Sequence, residues 1–302
     1  MLQNALTHQQ FAVTAELAPP KGWDFSHQIQ VAKTLQRQVH GINVTDMQSA
    51  CLKASSLGLC IALKQAGLEP ILQITGRDRN RMGIVSDLLS AAAFGIDTVL
   101  CLTGDHPKVG DHPGAKPVYD LDSVGILQAV RQMEEGRDCG GSPLSGTPPT
   151  FFKGAVVTPV YEPLALQILK LRQKVDAGAQ FIQTQCVFQT DQLTRLLDAM
   201  DKAQITVPVM AGVLPLKSAG MARYMNEKVP GVTVPADQLQ RLEEAAQEGR
   251  RTGVKGLAQR LGIQMAAELI AQIRDAGLCA GVHVMAVGAE EQVPKILALA
   301  GL

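Results

Sequence analysis

The stretch Val99–Pro107, "VLCLTGDHP", joins an apolar run to a glycine and then to a carboxylate. A short apolar run that ends at a turn residue is typical of a strand buried on both faces, as in a parallel sheet. Asp105 is therefore expected where that strand reaches the surface. The eight segments of this kind are "FAVTAEL" (11–17), "GINVTD" (41–46), "PILQIT" (70–75), "TVLCLTG" (98–104), "GAVVTPV" (154–160), "FIQTQ" (181–185), "PVMAGVL" (208–214) and "GVHVMAVG" (281–288).

Segments with helical periodicity lie between these strand candidates, among them "SDLLSAAAFG", "PLALQILKLRQKVDAGA", "TDQLTRLLDAMDKA" and "QMAAELIAQIRDAG". Several end in glycine, as helices commonly do. Strands that alternate with helices predict the α/β class and a parallel sheet, and eight such units predict a closed (β/α)8 TIM barrel. We expect one barrel domain over residues 1–302, with several helices rather than a further domain in 216–277.

Composition limits the classes of partner. The chain has 28 basic and 28 acidic residues, so its formal net charge is zero, and no overall field favours nucleic acid or a membrane surface. The six cysteines are scattered without a C-x-x-C pair, which is typical of a reducing compartment. The N-terminus lacks a signal-peptide pattern and no apolar run reaches membrane-spanning length, so a cytoplasmic protein acting on small molecules is expected.

Two Gly- and Pro-rich stretches are longer than ordinary connections, which indicates either function or disorder. Residues 105–120 leave the carboxyl end of the fourth strand, where barrel enzymes carry their active sites, so a functional loop is favoured. Residues 136–153 precede the fifth strand at the opposite end, so a structural or interface loop is favoured.

Polar residues gather at the carboxyl ends of the predicted strands, and they are Glu16, Thr45, Asp46, Gln73, Thr75, Thr103, Asp105, Thr158, Gln183 and Gln185. Any one of them could simply satisfy loop amides, but their concentration at one rim favours a site. Glu16 lies between apolar neighbours and just before Pro19 and Pro20. Burial of a carboxyl group favours its protonated form, which suits a general acid at neutral pH. A structural ion pair with a lysine or arginine is the alternative.

Five motifs, in this order along the chain, resemble the methylenetetrahydrofolate reductase family: "AELAPP", "NVTD", "LTGD", "KVDAGAQFIQTQ" and "AGVLPLKSAG". The resemblance implies a flavin-dependent barrel that transfers a hydride from reduced flavin to the methylene carbon of 5,10-methylenetetrahydrofolate, giving 5-methyltetrahydrofolate. Two other functions stay open. One is a non-catalytic folate-binding or scaffold subunit of a redox complex, and the other is a flavin-free lyase or transferase acting on another pterin.

The resemblance also implies roles for individual residues. Glu16 matches the acid that helps to open the folate ring, Asp105 matches an aspartate near both flavin and pterin, and Gln185 matches a glutamine that contacts the pterin. Glu16 and Asp105 are thus the expected catalytic residues. The positions expected to bind the cofactor are Thr45, Asp46, Gln73, Thr103, Gly104, Asp105, Tyr119, Thr158 and Lys174. FAD is the cofactor implied, with FMN as the alternative, and a solvated helix charge is the other interpretation of Lys174.

The chain departs from the familiar members of that family in having few aromatic residues, 4% in all. Its motifs "NVTDMQSA", "RDRNR" and "KSAGMARYMN" are closer to the short reductases of anaerobic one-carbon metabolism. In that branch the flavin subunit works beside a small zinc or iron–sulfur partner. The electron source implied is therefore NAD(P)H or such a partner subunit, since the cysteines of this chain are not spaced to hold a cluster.

Two charged motifs have more than one interpretation. Arg77, Arg79 and Arg81 of "TGRDRNR" suit a phosphate or carboxylate ligand, and equally suit ion pairs with Asp78 and Asp87. His106 and His112 of the repeated "GDHP" suggest a metal, but histidines before proline in a loop favour a turn role.

Overall fold

The computed structural model describes residues 1–302 and contains a closed barrel of eight parallel strands in the order β1 to β8. Each strand pairs with the next along the chain, and β8 pairs with β1. The strands are β1 Ala12–Leu17, β2 Gly41–Val44, β3 Pro70–Thr75, β4 Thr98–Leu102, β5 Phe152–Val157, β6 Phe181–Val187, β7 Val209–Val213 and β8 Gly281–Val284. The predicted (β/α)8 fold is confirmed, with a strand in each of the eight segments.

Eleven helices accompany the strands. They are α1 Leu2–Thr7, α2 Ser26–Leu35, α3 Ser56–Gln65, α4 Arg81–Ala93, α5 Ser123–Glu134, α6 Leu164–Asp176, α7 Thr190–Lys202, α8 Ala219–Lys228, α9 Ala236–Thr252, α10 Leu257–Asp275 and α11 Val293–Leu299. Helices α8, α9 and α10 occupy the region predicted to hold several helices. None of the helices combines the length and the apolar character that a membrane crossing requires.

Alternation along the strands divides the core into two parts. On β1, Val13 and Ala15 face outward and belong to a cluster of 53 buried residues between the strands and the helices. Ala12 faces inward, as does Thr14, because successive side chains of a strand point to opposite faces. The inward positions therefore form a separate interior that can differ in polarity from the outer core.

The lower part of the barrel interior is apolar. Phe152 and Phe181 stack there with ring centroids 4.9 Å apart. Leu2 and Leu6 of α1 pack against the same cluster and close the amino-terminal end of the barrel. The sequence pattern does not predict this helix. Because the lower interior is filled by apolar side chains, the polar groups of the strands are confined to the other end.

The two long loops lie at opposite ends, as predicted. Residues 105–120 follow β4 and contain a short 3-10 turn, Pro107–Val109. Residues 136–153 precede and enter β5, and Arg137 pairs with Pro143 across a small antiparallel bridge. Oδ1 of Asp138 accepts hydrogen bonds from the backbone N–H groups of Gly140 and Ser142. The end of the loop is joined to the barrel, since Glu134 of α5 accepts from the Phe151 N–H at 3.0 Å and pairs with Lys153. These contacts agree with a structural role.

Candidate active site

A cavity of about 530 Å³ opens at the carboxyl ends of the strands. Small-molecule sites commonly measure about 300–1,000 Å³, and in barrel enzymes they lie at this face. Most of the residues predicted as site residues line it: Glu16, Asp46, Gln73, Thr103, Gly104, Asp105, Thr158, Lys174 and Gln185. The barrel therefore brings together side chains from strands far apart in the sequence.

Two predicted residues do not line the cavity. Thr45 is buried at the end of β2, and its Oγ1 has no hydrogen-bond partner in the protein. Tyr119 lies behind Gly104, to whose carbonyl oxygen its hydroxyl donates at 3.2 Å. Tyr119 thus supports the backbone of the cavity wall rather than facing into it.

Glu16 lies at the carboxyl end of β1, and only 8% of its side chain is exposed. Gln48 Nε2 donates to Glu16 Oε1 at 2.9 Å. On the other side of the carboxyl group, His283 Nε2 is 3.6 Å from Glu16 Oε2. No lysine or arginine pairs with Glu16, so the predicted alternative of a structural ion pair with such a residue is wrong.

A buried polar network lies directly beneath Glu16. Asn43 and Gln183 exchange amide hydrogen bonds across the barrel, at 2.9 and 3.2 Å. Gln183 Nε2 also donates to Thr14 Oγ1 at 3.3 Å, and Thr14 Oγ1 lies 2.9 Å from His283 Nδ1. All four residues are buried.

The same network holds His283 at one of its two ring nitrogens. Thr14 Oγ1, which accepts from Gln183, lies 2.9 Å from His283 Nδ1. The other ring nitrogen, Nε2, faces Glu16.

An irregularity in β6 brings a second, consecutive side chain to the cavity beside Gln185. The register between β6 and β7 shifts between Gln183 and Cys186, which is a β-bulge. The Thr184 hydroxyl accepts from the Gly212 N–H at 2.9 Å, and a methyl group at Gly212 would lie 2.4 Å from the Thr184 carbonyl oxygen. As a result, the consecutive residues Thr184 and Gln185 both line the cavity.

The arginines of the motif after β3 form ion pairs. Arg79 contacts Asp46 at 2.6 Å and Asp87 at 2.8 Å, and Arg81 contacts Asp120 at 2.7 Å. Asp46 Oδ2 also accepts from the backbone N–H and the hydroxyl of Thr75, both at 2.9 Å. The ion-pair interpretation of this motif is confirmed, and Asp46 anchors the wall of the cavity.

Arg77 differs from its neighbours because it both forms an ion pair and lines the cavity. Burial opposes its charge, but hydrogen bonds to Asp78 and the nearby carboxylates of Asp78, Asp46 and Asp105 raise the pKa of Arg77. Its Nη1 points toward the Asp105 carbonyl oxygen at 3.4 Å. Arg77 is thus a fixed positive charge behind the β4 end.

Asp105 lies where the opening motif predicts, just beyond β4 at the cavity rim. It is exposed, and its carboxylate forms neither an ion pair nor a hydrogen bond within the protein. Gly104 before it has a φ of +89°, a conformation that favours glycine. The carboxylate is therefore free to interact with a ligand.

The far side of the cavity is basic. Gln167, Lys170 and Lys174 lie on one face of α6 and line the cavity. Lys174 Nζ donates to the Val156 carbonyl oxygen at 2.6 Å. Burial, reinforced by the charge of Lys170, lowers the pKa of Lys174 from 10.5 to about 8. The solvated-charge interpretation of Lys174 is thus wrong.

The two "GDHP" histidines have different contacts. His106 Nδ1 accepts from the Lys108 N–H at 3.2 Å, and His112 Nδ1 lies 2.8 Å from Asp111 Oδ1. No group of three or more His, Cys, Asp or Glu side chains is arranged to hold a metal ion. His106 therefore has the predicted role in a turn, whereas His112 contacts the carboxylate of its neighbour.

Sequence reasoning missed Gln48, Lys170 and His283 as site residues. Alternation from Gly281 places His283 inside the barrel, so a polar residue at an inward position was an available signal. Gln48 carried no signal of this kind, because it lies in a loop whose backbone path no pattern predicts.

These features define a class: a (β/α)8 barrel with a small-molecule cavity at its carboxyl-terminal face and a buried carboxyl group on β1. A sequence model of the methylenetetrahydrofolate reductase family matches residues 1–301. The chain belongs to that family.

Relatives with names from this family agree with the assignment. A probable methylenetetrahydrofolate reductase (NADPH) from Caenorhabditis elegans is 24% identical over 260 residues, covering 84% of this chain and 34% of that protein. Methylenetetrahydrofolate reductase 2 from Schizosaccharomyces pombe is 25% identical, covering 76% of this chain and 35% of that protein. The chain thus spans about a third of the length of these two relatives.

Among solved structures, an uncharacterized protein from Clostridium thermocellum that binds two copies of 5-methyl-5,6,7,8-tetrahydrofolic acid has a TM-score of 0.65. It is 13% identical, and the match covers 99% of this chain and 98% of that one. At that identity the likeness supports the barrel fold.

Proposed function

We propose that this chain is a flavin-dependent methylenetetrahydrofolate reductase, which converts 5,10-methylenetetrahydrofolate to 5-methyltetrahydrofolate. Membership of the family supports the reaction. The observation that carries the proposal is the buried carboxyl group of Glu16, which faces the cavity without a cationic partner. A protein that only binds folate has no need of a buried acid at this position. We assign residues 1–302 to one barrel domain.

Glu16 is the proton donor in this proposal. The five-membered ring of the substrate opens when one nitrogen leaves the methylene carbon, and negative charge develops on that nitrogen as the bond breaks. A proton from the Glu16 carboxyl group neutralises this charge and leaves a methylene iminium, which accepts the hydride. General acid catalysis of this kind contributes a factor of roughly 10² to 10⁴ to the rate.

Two further residues orient the pterin. Gln185 lines the cavity at the end of β6, although its Oε1 already accepts from the Cys186 N–H at 3.0 Å. Its NH₂ group is then free to donate to a pterin ring atom. Asp105 presents an unpaired carboxylate at the opposite rim, where it can accept hydrogen bonds from the pterin or from the cofactor.

The described residues fit a flavin in three respects. Thr45 Oγ1 is buried without a partner at the end of β2. The walls offer Gln73, Thr103, Gly104 and Thr158 as polar contacts, and the α6 face offers Lys170 and Lys174 for a phosphate group. When bound, the reduced flavin supplies the hydride. We propose FAD as this cofactor, with FMN as the alternative that the test below distinguishes.

The proposal is tested first by the chromophore. Protein purified with flavin, or reconstituted with FAD and separately with FMN, is expected to show flavin absorbance, and mass analysis after heat release identifies the molecule. Failure to bind either flavin would contradict the proposal.

The acid is tested by Glu16→Gln, which keeps the size and removes the proton. Turnover of methylenetetrahydrofolate is expected to fall by at least about 10²-fold. Folate binding, measured by isothermal titration, should change little. NADH, NADPH and a chemical one-electron donor are compared, because a partner subunit could supply electrons in place of a nicotinamide. Absence of turnover with every donor, in both proteins, would favour a binding or scaffold subunit.

A further inference from the structure

Gln48 makes the one hydrogen bond shorter than 3.5 Å that reaches the Glu16 carboxyl group, from Nε2 to Oε1 at 2.9 Å. Glu16 comes from β1, whereas Gln48 comes from the β2 loop, which we define as residues 45–55. The position of the acid therefore depends on a loop that belongs to a different βα unit.

The backbone of the β2 loop is strained around Gln48. Met47, Ser49 and Ala50 have φ values of 47°, 55° and 54°, although none of them is glycine. L-residues adopt this left-handed conformation at an energetic cost, and a run of such residues persists only where surrounding contacts hold it. Something outside the loop must stabilise this arrangement.

Those contacts come from the β4 loop, which we define as residues 105–120. Asp111 Oδ1 accepts from the Leu52 N–H at 2.9 Å, and Asp111 Oδ2 accepts from Lys21 Nζ at 2.7 Å. Hydrogen bonds from Lys21, His112 and the Leu52 N–H hold the pKa of Asp111 well below its usual range, so it is ionised.

Gly110 adds a contact that depends on its missing side chain. A methyl group at Gly110 would lie 1.9 Å from the Ala50 carbonyl oxygen. The two loops are therefore packed backbone against backbone at the residue that follows Ser49 and Gln48.

We propose that Gln48 is a positioning residue that fixes the Glu16 carboxyl group, and that Gly110 and Asp111 of the β4 loop hold Gln48 in place. This positioning role of Gln48 rests on the proposed function of Glu16 as the acid. The Gln48 N–H fixes Oε1, which leaves Oε2 as the carboxyl oxygen without a hydrogen bond within the protein.

The other titratable groups near Glu16 are few. His283 faces it from β8 at 3.6 Å, and Cys186 of β6 is near enough for the charge of Glu16 to raise the pKa of that thiol, though burial is the larger cause. Asp46, Arg77 and Asp105 line the same cavity from neighbouring strand ends. A change in the behaviour of Glu16 must be separated from changes in these groups.

The test uses Gln48→Leu and Gln48→Met, which remove the donor but keep a side chain of similar size, together with Asp111→Ala and the double variant Gln48→Leu/Asp111→Ala. The first readout is the ¹³C signal of the Glu16 carboxyl group in glutamate-labelled protein, assigned by its loss in Glu16→Gln. Removal of the N–H donor changes the hydrogen bonding of the carboxyl group, so at a fixed pH the signal should move in each single variant. Because Asp111 acts through Gln48, the double variant should shift no further than Gln48→Leu.

The second readout is turnover of methylenetetrahydrofolate. Misplacement of a catalytic group lowers the rate of the chemical step, so kcat should fall by about tenfold to a hundredfold in the Gln48 variants, with KM little changed. Asp138→Ala is the matched control, because it removes a loop carboxylate that caps backbone N–H groups at the opposite end of the barrel. Asp138→Ala should leave both readouts as in the unmodified protein.

Each outcome decides between parts of the proposal. A Glu16 signal that keeps its position at the same pH in both Gln48 variants would overturn the role of Gln48. Additive shifts in the double variant would overturn the role of the β4 loop. If the unmodified protein has no turnover but the Glu16 signal shifts as expected, the proposed function fails and the positioning role stands.

Discussion

His283 Nε2 lies 3.6 Å from Glu16 Oε2, although the two residues are near opposite ends of the chain. They meet because β8 closes the barrel against β1, where Thr14 is the register partner of His283. A second contact orients the His283 ring, since its Nδ1 lies 2.9 Å from Thr14 Oγ1. The acid is thus held between a side chain from the last strand and one from the β2 loop.

Substitution His283→Phe is expected to lower kcat by at least about tenfold, because it removes the ring nitrogen that faces Glu16 and the one that is the hydrogen-bond partner of the buried Thr14 hydroxyl. His283→Gln, which keeps a polar group at this position, should recover part of the rate. Steady-state kinetics of the two variants, with circular dichroism to confirm folding, checks this. Equal kcat values for His283→Phe and His283→Gln would contradict a polar role for His283.

Lys174 is expected to link stability to alkaline pH. Its pKa is about 8 in the folded protein and 10.5 in the reference state, so the unfolded chain binds the extra proton between these values. The free energy of unfolding should therefore rise by on the order of 1–3 kcal/mol from pH 8 to pH 10.5, and be independent of this group below about pH 8. Denaturant unfolding of the unmodified protein and of Lys174→Met, compared across this range, measures the difference. If the free energy of unfolding of Lys174→Met rises by the same amount, groups other than Lys174 cause the rise.

Asp46→Asn is expected to destabilise the protein by about 2–3 kcal/mol, since it leaves the largely buried Arg79 with Asp87 as its remaining ionic partner. Asp120→Asn is the matched control: its ion pair with Arg81 is more exposed and should contribute less. Urea unfolding of both variants gives the comparison. If Asp120→Asn loses as much free energy of unfolding as Asp46→Asn, burial of the ion pair does not explain the loss.

Gly104→Ala is expected to cost about 1–2 kcal/mol from its positive φ alone. A further cost comes from crowding, because the new methyl group would lie 3.1 Å from side-chain carbons of Arg77 and Thr75. Gly67→Ala separates the two effects, because Gly67 has a φ of +76° and open space around it. Thermal unfolding should show a larger loss for Gly104→Ala, and equal losses would remove the crowding argument.

Much of the fold could be predicted from local patterns. The segment "PILQIT" matches β3 at both ends, and "FIQTQ" begins where β6 begins. The errors fall at strand ends, as in β5, which begins two residues before the predicted segment, and β8, which ends at Val284 rather than at Gly288. Hydrogen bonding to neighbouring strands sets these limits, and a single segment carries no information about its neighbours.

The candidate site was predicted in part. Alternation and strand ends placed Glu16 and Asp105 at the rim, because the carboxyl ends of all strands of a barrel meet at one face. The family resemblance placed Tyr119 and Thr45 among the cofactor contacts, but neither lines the cavity, since Tyr119 lies behind Gly104 and Thr45 is buried. Which face of a loop or strand end reaches the cavity depends on packing against neighbouring loops.

The sequence by itself determined the eight strands, their alternation with helices, the acidic and amide groups at the strand ends and the resemblance to a family. These follow from local periodicity and residue chemistry, which every short segment carries within itself. Only the tertiary structure decided that Gln48 and His283 meet Glu16, that a bulge brings Thr184 to the cavity beside Gln185, and that Asp46 forms an ion pair with Arg79. The reason is physical: those contacts join segments separated by tens to hundreds of residues, and packing between neighbouring strands and loops, together with closure of the barrel, fixes their distances.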